Sequence, residues 1–375
     1  MRNLIVRRIR AARNDRGAVG VLVAILIGSG VLFGMGALVI DVGQLYQNRA
    51  ELQNGADAAA LAIAKSCVEG TCAPSIATGY ADANASGLTG GTAYVNLVCG
   101  VNGAGTVGTG ACTSGNKHCA ANPPAGANYA DVETSTELAN GSHLLPPVFA
   151  RTLAGNGNYQ GTTVYACSQA EWGAPLTANT VGFTISACTW DQATSGTAGG
   201  TPGTSFAPPP PYPPNPSASF DQVVYLKGGP TGSCSTEPNG AAAPGNFGWT
   251  SDPNGNCTVT ISNSSYSGDT GNNVSHDCQT LISNAFTAKT VLYVPVYVSV
   301  SGTGSNATYT LKGFAAFVVT GYSLPSFKQN DWITGKAPCS GGSSCISGFF
   351  THGLIPAAGS LGGTNLGADI IKLTG

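Results

Sequence analysis

The longest apolar run of the chain lies near its N-terminus, from Ala18 to Ile40, and contains no charged residue. As an α-helix rising 1.5 Å per residue, its 23 residues would extend over roughly 35 Å. That length crosses the hydrocarbon core of a bilayer with some tilt. The pattern therefore predicts a single transmembrane helix, with Ala18 and Ile40 at the two ends of the membrane anchor.

Beyond Asp41 the run gives way to a stripe of apolar and small residues at helical spacing. Steps of three, four and seven place the stripe on one face of a helix that continues from the anchor. The stripe consists of Val42, Leu45, Leu52, Ala56, Ala59 and Ile63. Two interpretations are open. The stripe docks on the chain's own domain, or it is an assembly face for a homo- or hetero-oligomer through residues 42–63.

From Cys67 onward the pattern changes to short alternating segments, rich in Gly, Ser, Thr and Asn, that are typical of β-structure. Strands are predicted at 93–99, 165–190, 222–226, 257–261, 291–300, 308–311 and 313–320. Segment 130–139 is predicted as a strand or short helix, 276–289 as a short helix, and the tail from Lys336 as loop-rich. With the N-terminal helix, these elements predict an α+β fold.

Three parts follow from this pattern. They are a basic segment 1–16, a transmembrane and juxtamembrane helix 17–66, and a β-rich exported domain 67–375. Within that domain, residues 207–216 read APPPPYPPNP, which excludes helix and central strand and favours an extended chain. The segment is either a domain boundary or a long surface loop, and strand-like sequence on both sides favours the loop.

Charged residues are scarce and unevenly placed. They make up only 9% of the chain, against about 25% in average soluble domains, and the net charge of −2 argues against binding to nucleic acid. Six arginines and one acid, Asp15, precede the apolar run. The positive-inside rule then predicts a single-pass membrane protein, with a cytoplasmic N-terminus and an extracytoplasmic C-terminal domain.

All twelve cysteines follow the predicted anchor, and an even number in an exported segment predicts a disulfide framework. No two cysteines are spaced as CxxC, and no Cys–His cluster has the spacing of a zinc site. We therefore expect neither a metal nor another cofactor. Short separations favour three local bridges, Cys67–Cys72, Cys112–Cys119 and Cys339–Cys345.

Short motifs that resemble catalytic or nucleotide-binding signatures lack the context that such sites need. Residues 103–108 fit GxGxxG, but no helix is predicted after them to bind a pyrophosphate. Residues 114–117 fit SxxK without the accompanying SDN and KTG motifs. The four histidines are scattered, and the four tryptophans are expected to be partly buried rather than ligand-binding. We therefore expect that the chain is not an enzyme.

The segment from Arg16 to Ala64 resembles the N-terminal segment of the TadE/TadG-like proteins of Tad (Flp) pilus assembly. The resemblance rests on Arg16-Gly17 before the apolar run, ALVIDVG at 37–43, and LQN followed by ADAAALA within 52–62. It implies a structural, non-enzymatic envelope component, whose partners are the membrane and other pilus-assembly or pilin-like proteins. A surface-anchored adhesin or ligand-binding module is the alternative.

Two features found within that family are not matched. Pilin-like members resemble one another in a Glu five residues after the cleaved glycine. Counted from Gly17, that position is Leu22, so we expect no cleavage at Gly17. Larger members resemble von Willebrand A domains with a DxSxS metal site, and this sequence contains no DxSxS. The metal site is therefore not carried over.

Overall fold

The structure of the chain is a computed structural model. It describes residues 15–28, 31–88, 91–103, 105–112, 119, 126–147, 160–195, 203–208, 217–227, 234, 247–252, 255–262, 264–269, 274–302, 306–356 and 359–374. Most of the basic segment, 1–14, and most of the proline-rich segment, 209–216, lie outside these residues. What the sequence predicts for them stays a prediction.

Most of the helical residues lie at the N-terminus. The helices are α1 Asp15–Gly28, α2 Val31–Val68, α3 Ala77–Asn84, α4 Ala187–Ala193 and α5 His276–Ala288, with a 3₁₀ turn at Pro74–Ile76. Serine hydroxyls cap α4 and α5, where Ser186 accepts the backbone N–H of Thr189 and Ser275 accepts that of Cys278. Each cap satisfies a backbone donor that the first helical turn leaves without a partner.

The remaining elements are strands. They are β1 Gly91–Asn102, β2 Gly105–Gly108, β3 Asn128–Leu138, β4 Tyr165–Gly173, β5 Ala178–Val181, β6 Phe183–Ser186, β7 Gln222–Lys227, β8 Phe247–Trp249, β9 Thr258–Ile261, β10 Ser265–Ser267, β11 Val291–Ser301, β12 Thr308–Leu324, β13 Phe327–Gln329, β14 Ser344–Thr351, β15 Gly353–Leu354, β16 Thr364–Leu366 and β17 Ala368–Leu373. They form a six-stranded sheet, a nine-stranded sheet and the pair β5–β9.

The second half of α2 packs on one face of the six-stranded sheet. The sheet has the order β15–β17–β4–β3–β1–β2 and is antiparallel from β17 to β2. Leu52 and Ile63 of α2 are fully buried in one core with Ala130, Val132 and Trp172 of the sheet. Because burial of apolar surface stabilises by about 25 cal/mol per Å², this part of the helix belongs to the folded body.

The nine-stranded sheet forms the larger part of the protein. Its main path is β7–β14–β12–β11–β6–β8, and β10, β13 and β16 also pair with β12. Phe317 of β12 is buried in a core with Ile282 of α5 and Trp190 of α4. The chain end joins the two sheets, because β16 pairs with β12 and β17 pairs with β4.

The strand-rich α+β architecture agrees with the predicted fold class. The predicted strands at 93–99, 222–226, 257–261 and 291–300 correspond to β1, β7, β9 and β11, and segment 130–139 corresponds to β3. The two strands predicted at 308–311 and 313–320 are one continuous strand, β12. A bulge in the β11–β12 pairing near Tyr297 lets β12 run through Lys312 without a break.

Two predictions for secondary structure are wrong. Residues at the end of the predicted β segment 165–190 form α4, which the serine cap initiates. The tail from Lys336, predicted as loop-rich with no strand, contains β14 to β17, and every residue of β14 is buried. A strand buried on both faces shows no apolar–polar alternation, so the sequence SCISGFFT does not reveal it.

The proline-rich segment joins two strands of one sheet, since β6 before it and β7 after it both belong to the nine-stranded sheet. Ala207, at its start, forms a bridge to Thr351 at the end of β14. The loop interpretation for residues 209–216, which lie outside the described part, stays a prediction.

The twelve cysteines form six disulfides. They are Cys67–Cys72, Cys99–Cys112, Cys119–Cys167, Cys188–Cys234, Cys257–Cys278 and Cys339–Cys345. The framework predicted from the even cysteine count is therefore present, and it includes two of the three predicted local bridges.

The predicted bridge Cys112–Cys119 is wrong. The hairpin of β1 and β2 returns the chain to β1, so that Cys112 pairs with Cys99, with Cα atoms 5.1 Å apart. Cys119 instead pairs with Cys167 of β4, 48 residues further along the chain. The shortest separation along the chain does not identify the partner of Cys112, because strand pairing brings distant cysteines together.

Candidate functional site

α2 positions the candidate site, because its second half is fixed to the body while its first half leaves it. Thr134 Oγ1 in β3 donates a hydrogen bond of 3.1 Å to the carbonyl of Leu52. Gly55 lies so close to α3 that a Cβ atom there would come within 2.6 Å of the carbonyl oxygen of Ala81. These contacts fix the direction in which the helix leaves the sheet.

The predicted helical stripe divides into a buried part and an open part. Leu52, Ala56, Ala59 and Ile63 are fully buried within the chain, Leu45 is half-buried and Val42 is exposed. The contacts therefore support docking on the chain's own domain. This corrects the assembly-face prediction for Leu52, Ala56, Ala59 and Ile63, whose side chains are occupied inside the protein. The pattern could not decide this, because an apolar face looks the same whichever surface covers it.

In contrast to the stripe, most of the apolar run is left uncovered by the body, although Ala37 is buried. Every residue from 19 to 28 is exposed, and in α2 the exposed fraction is 63% for Met35 and 70% for Val39. Such apolar exposure is unfavourable in water, and a contiguous patch of it marks a surface that contacts a membrane or another protein.

The predicted membrane anchor is described as two helices, with residues 29–30 between α1 and α2 outside the described part. Among the helices of the described residues, none combines the length and the apolar character needed to cross a membrane. The anchor from Ala18 to Ile40 therefore stays a prediction.

A groove of about 270 Å³ lies where α2 leaves the body. Leu38, Val42 and Leu45 line it on the helix, and Leu145 and Pro146 line it on the segment after β3. The groove continues the exposed apolar run onto the body itself. The sequence does not reveal this groove, since its two walls lie about a hundred residues apart. The short apolar string LLPP at residues 144–147 was the one available signal.

The exposed run and the docked stripe lie in one segment of the chain that is similar to known proteins. Residues 17–65 match the family described as Putative Flp pilus-assembly TadE/G-like. The match confirms the resemblance found in the sequence and, like it, is confined to the N-terminal segment. Comparisons with curated proteins and with solved structures found no match.

Outside this Tad-like segment, residues 17–65, the GxGxxG motif has a structural explanation. Its residues form the β1–β2 hairpin, in which Asn102 pairs with Gly105. Gly103 has a φ of +59°, which the turn requires and which glycine adopts without strain. In the described residues that follow, 105–112, 119 and 126–138, no helix presents its N-terminus, so the geometry differs from that of a dinucleotide site. The SxxK motif at 114–117 lies outside the described residues.

The described histidines lie in separate parts of the fold. His143 hydrogen-bonds the carbonyl of Thr136 at 2.9 Å and packs on Tyr94. His276 is the exposed first residue of α5, and His352 packs on the ring of Phe206. Each histidine therefore has a local structural environment rather than a shared one.

The tryptophans are interior residues, as expected. Trp172, Trp190 and Trp249 are buried. Trp332 is half-buried, packs edge-on against Phe349 and donates its indole N–H to the carbonyl of Val319 at 3.2 Å. Their surfaces are used within the protein.

Two acids that are distant in sequence form a strongly perturbed pair. Thr320 Oγ1 lies 2.6 Å from Asp221 Oδ1 and 3.1 Å from Asp331 Oδ2. Burial first, and then hydrogen bonding to Asp331, raise the pKa of Asp221 to about 8. Burial alone would raise the pKa of Asp331, but hydrogen bonds from Asp221 and from backbone N–H groups lower it. At neutral pH, protonated Asp221 therefore donates to ionised Asp331.

A carboxylate pair sharing a proton can serve acid–base chemistry only where a substrate reaches it. Asp331 is 2% exposed, and its Oδ1 already accepts the backbone N–H groups of Ile333 and Thr334 at 2.7 and 2.9 Å. The pair therefore fits a structural role, fixing the turn after β13 to β12. No sequence motif identifies this pair, because Asp221 and Asp331 are 110 residues apart in the chain.

One group of possible metal ligands occurs among the described residues, formed by Cys99, Cys112 and Asp131. Its two sulfurs are bonded to each other, so neither is a thiolate that could bind a metal. In the oxidised protein this group is a disulfide with a neighbouring acid.

Proposed function

We propose that this chain is a structural envelope component of the Tad (Flp) pilus assembly system. A single N-terminal helix holds it in the bacterial cell membrane, with the N-terminus in the cytoplasm and the β-rich body outside. The observation that carries the proposal is the uncovered apolar run within the segment that matches the pilus-assembly family.

Two further observations support the proposed topology. The six disulfides all lie after the apolar run, and disulfides of this density are typical of oxidising, extracytoplasmic compartments. Six arginines precede the run, and basic flanks are retained on the cytoplasmic side.

The proposed mechanism is mechanical and does not involve a chemical reaction. α2 passes without interruption from the exposed apolar residues into the core under the six-stranded sheet. A rigid helix of this kind transmits the position and orientation of its membrane end to the body. The open end of the stripe, Val42 and Leu45, together with the groove beside it, remains available to other pilus-assembly or pilin-like proteins.

Membrane extraction of the full chain tests the anchor. Ile27 and Val31, both exposed in the middle of the run, are replaced by lysine, since each lysine at the centre of a membrane helix costs about 2.5–3.5 kcal/mol. We expect the wild type to resist alkaline carbonate and I27K/V31K to be extracted. The matched control Y46K/Q47K, at exposed positions beyond the run, should stay in the membrane. A wild-type protein released without detergent would overturn the proposal.

A deletion strain distinguishes pilus assembly from the adhesin alternative. If the chain acts in assembly, cells that lack it should lose surface pili, and the full chain should restore them. Normal pili together with lost attachment to a surface would instead favour an adhesin or ligand-binding module. Neither result requires the chain to turn over a substrate.

A further inference from the structure

One of the six disulfides has a buried acid beside it. Cys99 of β1 lies directly opposite Asp131 of β3 in the antiparallel register. A carboxylate oxygen of Asp131 and the two sulfurs of Cys99 and Cys112 all lie within 4.8 Å of one another. Asp131 and Cys99 are each 1% exposed, and Cys112 is 6% exposed. Water therefore has little access to the carboxylate.

The carboxylate is only partly satisfied in the oxidised protein. Gln169, which faces Asp131 from β4, hydrogen-bonds its side chain. The other oxygen, Oδ1, is buried and has no hydrogen-bond donor among the described residues. A buried acceptor without a donor is unfavourable, and more so when it is charged. The oxidised state thus contains a specific defect that a new donor would correct.

The charges around this site are few. The titratable side chains nearest to Asp131 on this face of the sheet, among the described residues, are Tyr129 and Glu133 in β3, Glu171 in β4 and Lys372 in β17, and Tyr94, Glu137 and Tyr165 lie farther along the same face. The Tyr129 hydroxyl accepts the backbone N–H of Cys112 at 3.2 Å. Burial raises the pKa of Asp131 to about 6, against the hydrogen bond from Gln169 that lowers it. Asp131 therefore carries its charge at neutral pH, loses it as the pH falls through about 6, and is mostly neutral at pH 5.

We propose that Cys99–Cys112 is a redox-active disulfide and that Asp131 is the hydrogen-bond acceptor that favours its reduced form. Reduction converts each sulfur into an S–H group, and a thiol beside Asp131 supplies the donor that its carboxylate lacks. The bond links the end of the β1–β2 hairpin to β1, so its state controls how the chain after β2 is held on the sheet.

Glutathione reduces the disulfide in two successive thiol–disulfide exchanges. A glutathione thiolate attacks one sulfur of the Cys99–Cys112 bond, which breaks and gives a mixed disulfide and a protein thiolate. A second glutathione displaces the first as glutathione disulfide. Two electrons pass to the protein sulfurs, and the two protons released by the glutathione thiols complete the two S–H groups. In the reverse direction, the Asp131 carboxylate accepts the thiol proton as the attacking thiolate forms.

The test is a redox titration of the full chain in glutathione buffers at pH 7.5 and 5.0. Free thiols are trapped by alkylation and quantified for each cysteine by mass spectrometry. Asp131→Asn should lower the equilibrium constant for reduction of Cys99–Cys112 about tenfold at pH 7.5, a change of about 1.4 kcal/mol, near the lower end for a hydrogen bond to a charged group. At pH 5.0 the two proteins should converge.

Asp369→Asn is the matched control. Asp369 is also buried, its Oδ1 also has no partner among the described residues, and burial raises its pKa to about 6. It belongs to no cysteine cluster in the described part of the chain. D369N should therefore change the equilibrium constant for reduction of Cys99–Cys112 less than twofold. An equal effect of both variants, or a parallel change at all six disulfides, would show general destabilisation and overturn the proposal.

The wild type provides a second measurement that does not depend on a variant that folds. Within one molecule, the equilibrium constant for reduction of Cys99–Cys112 is divided by the equilibrium constant for reduction of Cys339–Cys345. The ratio should rise about tenfold from pH 5.0 to pH 7.5, as Asp131 gains its charge. A ratio independent of pH would also overturn the proposal.

Discussion

The side-chain amide of Gln53 in α2 donates a hydrogen bond of 2.9 Å to the backbone carbonyl of Cys167 in β4. One residue lies in the Tad-like segment, and the other lies 114 residues further on, in the middle of the six-stranded sheet. The Tad-like segment therefore ends inside the core of the body. An element that combines a membrane-directed end with a core end is suited to transmit force or position between them.

Close packing of α2 against α3 leads to the first expectation. Gly55→Ala would place a methyl group 2.6 Å from the carbonyl oxygen of Ala81. The two helices must then separate, and overpacking of this kind typically lowers the free energy of unfolding by about 1–3 kcal/mol. The measurement is equilibrium denaturant unfolding of the full chain in detergent.

Gly43, in the same helix, is the matched control. A Cβ atom there meets nothing within 4 Å, and alanine is favoured over glycine inside a helix by about 1 kcal/mol. G43A should therefore raise or preserve stability where G55A lowers it. Equal effects of the two substitutions would contradict the docking of α2 on α3.

Most local patterns can be predicted from the sequence, although α4 is an exception, whereas long-range pairing cannot. The stripe through Leu52 and Ile63 follows from helical spacing alone, so its helix and its apolar face could be predicted. The partner of Cys112 depends on how β1 and β2 pair, and no feature near Cys112 encodes that pairing. β14 shows a third case, since a strand buried on both faces has no alternation to detect.

The features of the candidate site also divide into those that the local sequence reveals and those that depend on long-range contacts. The apolar run from Ala18 to Ile40 is continuous in sequence, so both its existence and its family resemblance were visible. The groove needed the contact between Leu45 and the distant Leu145. The pair of Asp221 and Asp331 likewise needed the nine-stranded sheet, which places β7 and the turn after β13 on either side of Thr320.

An ion pair in the larger core leads to the second expectation. Lys312 Nζ lies 3.2 Å from Asp191 Oδ1, and the side chains are 19% and 2% exposed respectively. Lys312→Met would leave the Asp191 charge buried without its partner, which typically costs about 3–5 kcal/mol. Denaturant unfolding at pH 7 measures the loss. The double variant K312M/D191L should recover most of it, because an apolar pair of similar volume can replace a buried ion pair. Equal stability of the single and double variants would argue against a paired charge.

The cap of α5 leads to the third expectation. Ser275 Oγ accepts the backbone N–H of Cys278 at 3.2 Å, so Ser275→Ala removes one satisfied donor at the start of the helix. We expect a loss of about 1 kcal/mol in the free energy of unfolding. Ser275→Asp should retain most of the stability, since an aspartate also caps and its charge favours the helix N-terminus. If alanine and aspartate behaved alike, the cap would not contribute.

The proton shared by Asp221 and Asp331 leads to the fourth expectation, which concerns pH. The pKa of Asp221 rises from 3.8 to about 8 on folding. Between these two values the folded protein keeps a proton that the unfolded chain has released. The stability that this group contributes is therefore complete below about pH 4, and it is lost as the pH rises toward 8.

Asp221→Asn isolates that contribution. The amide can donate to Asp331 as the protonated acid does, its oxygen can still accept from Thr320, and it does not titrate. The wild type should therefore lose stability relative to D221N from pH 5 to pH 8, and D221N should be the more stable protein at pH 8. Asp82→Asn, at an exposed acid of α3, should follow the wild-type profile. Parallel profiles for wild type and D221N would mean that Asp221 is already ionised in the folded protein, which would remove the shared proton from the structure.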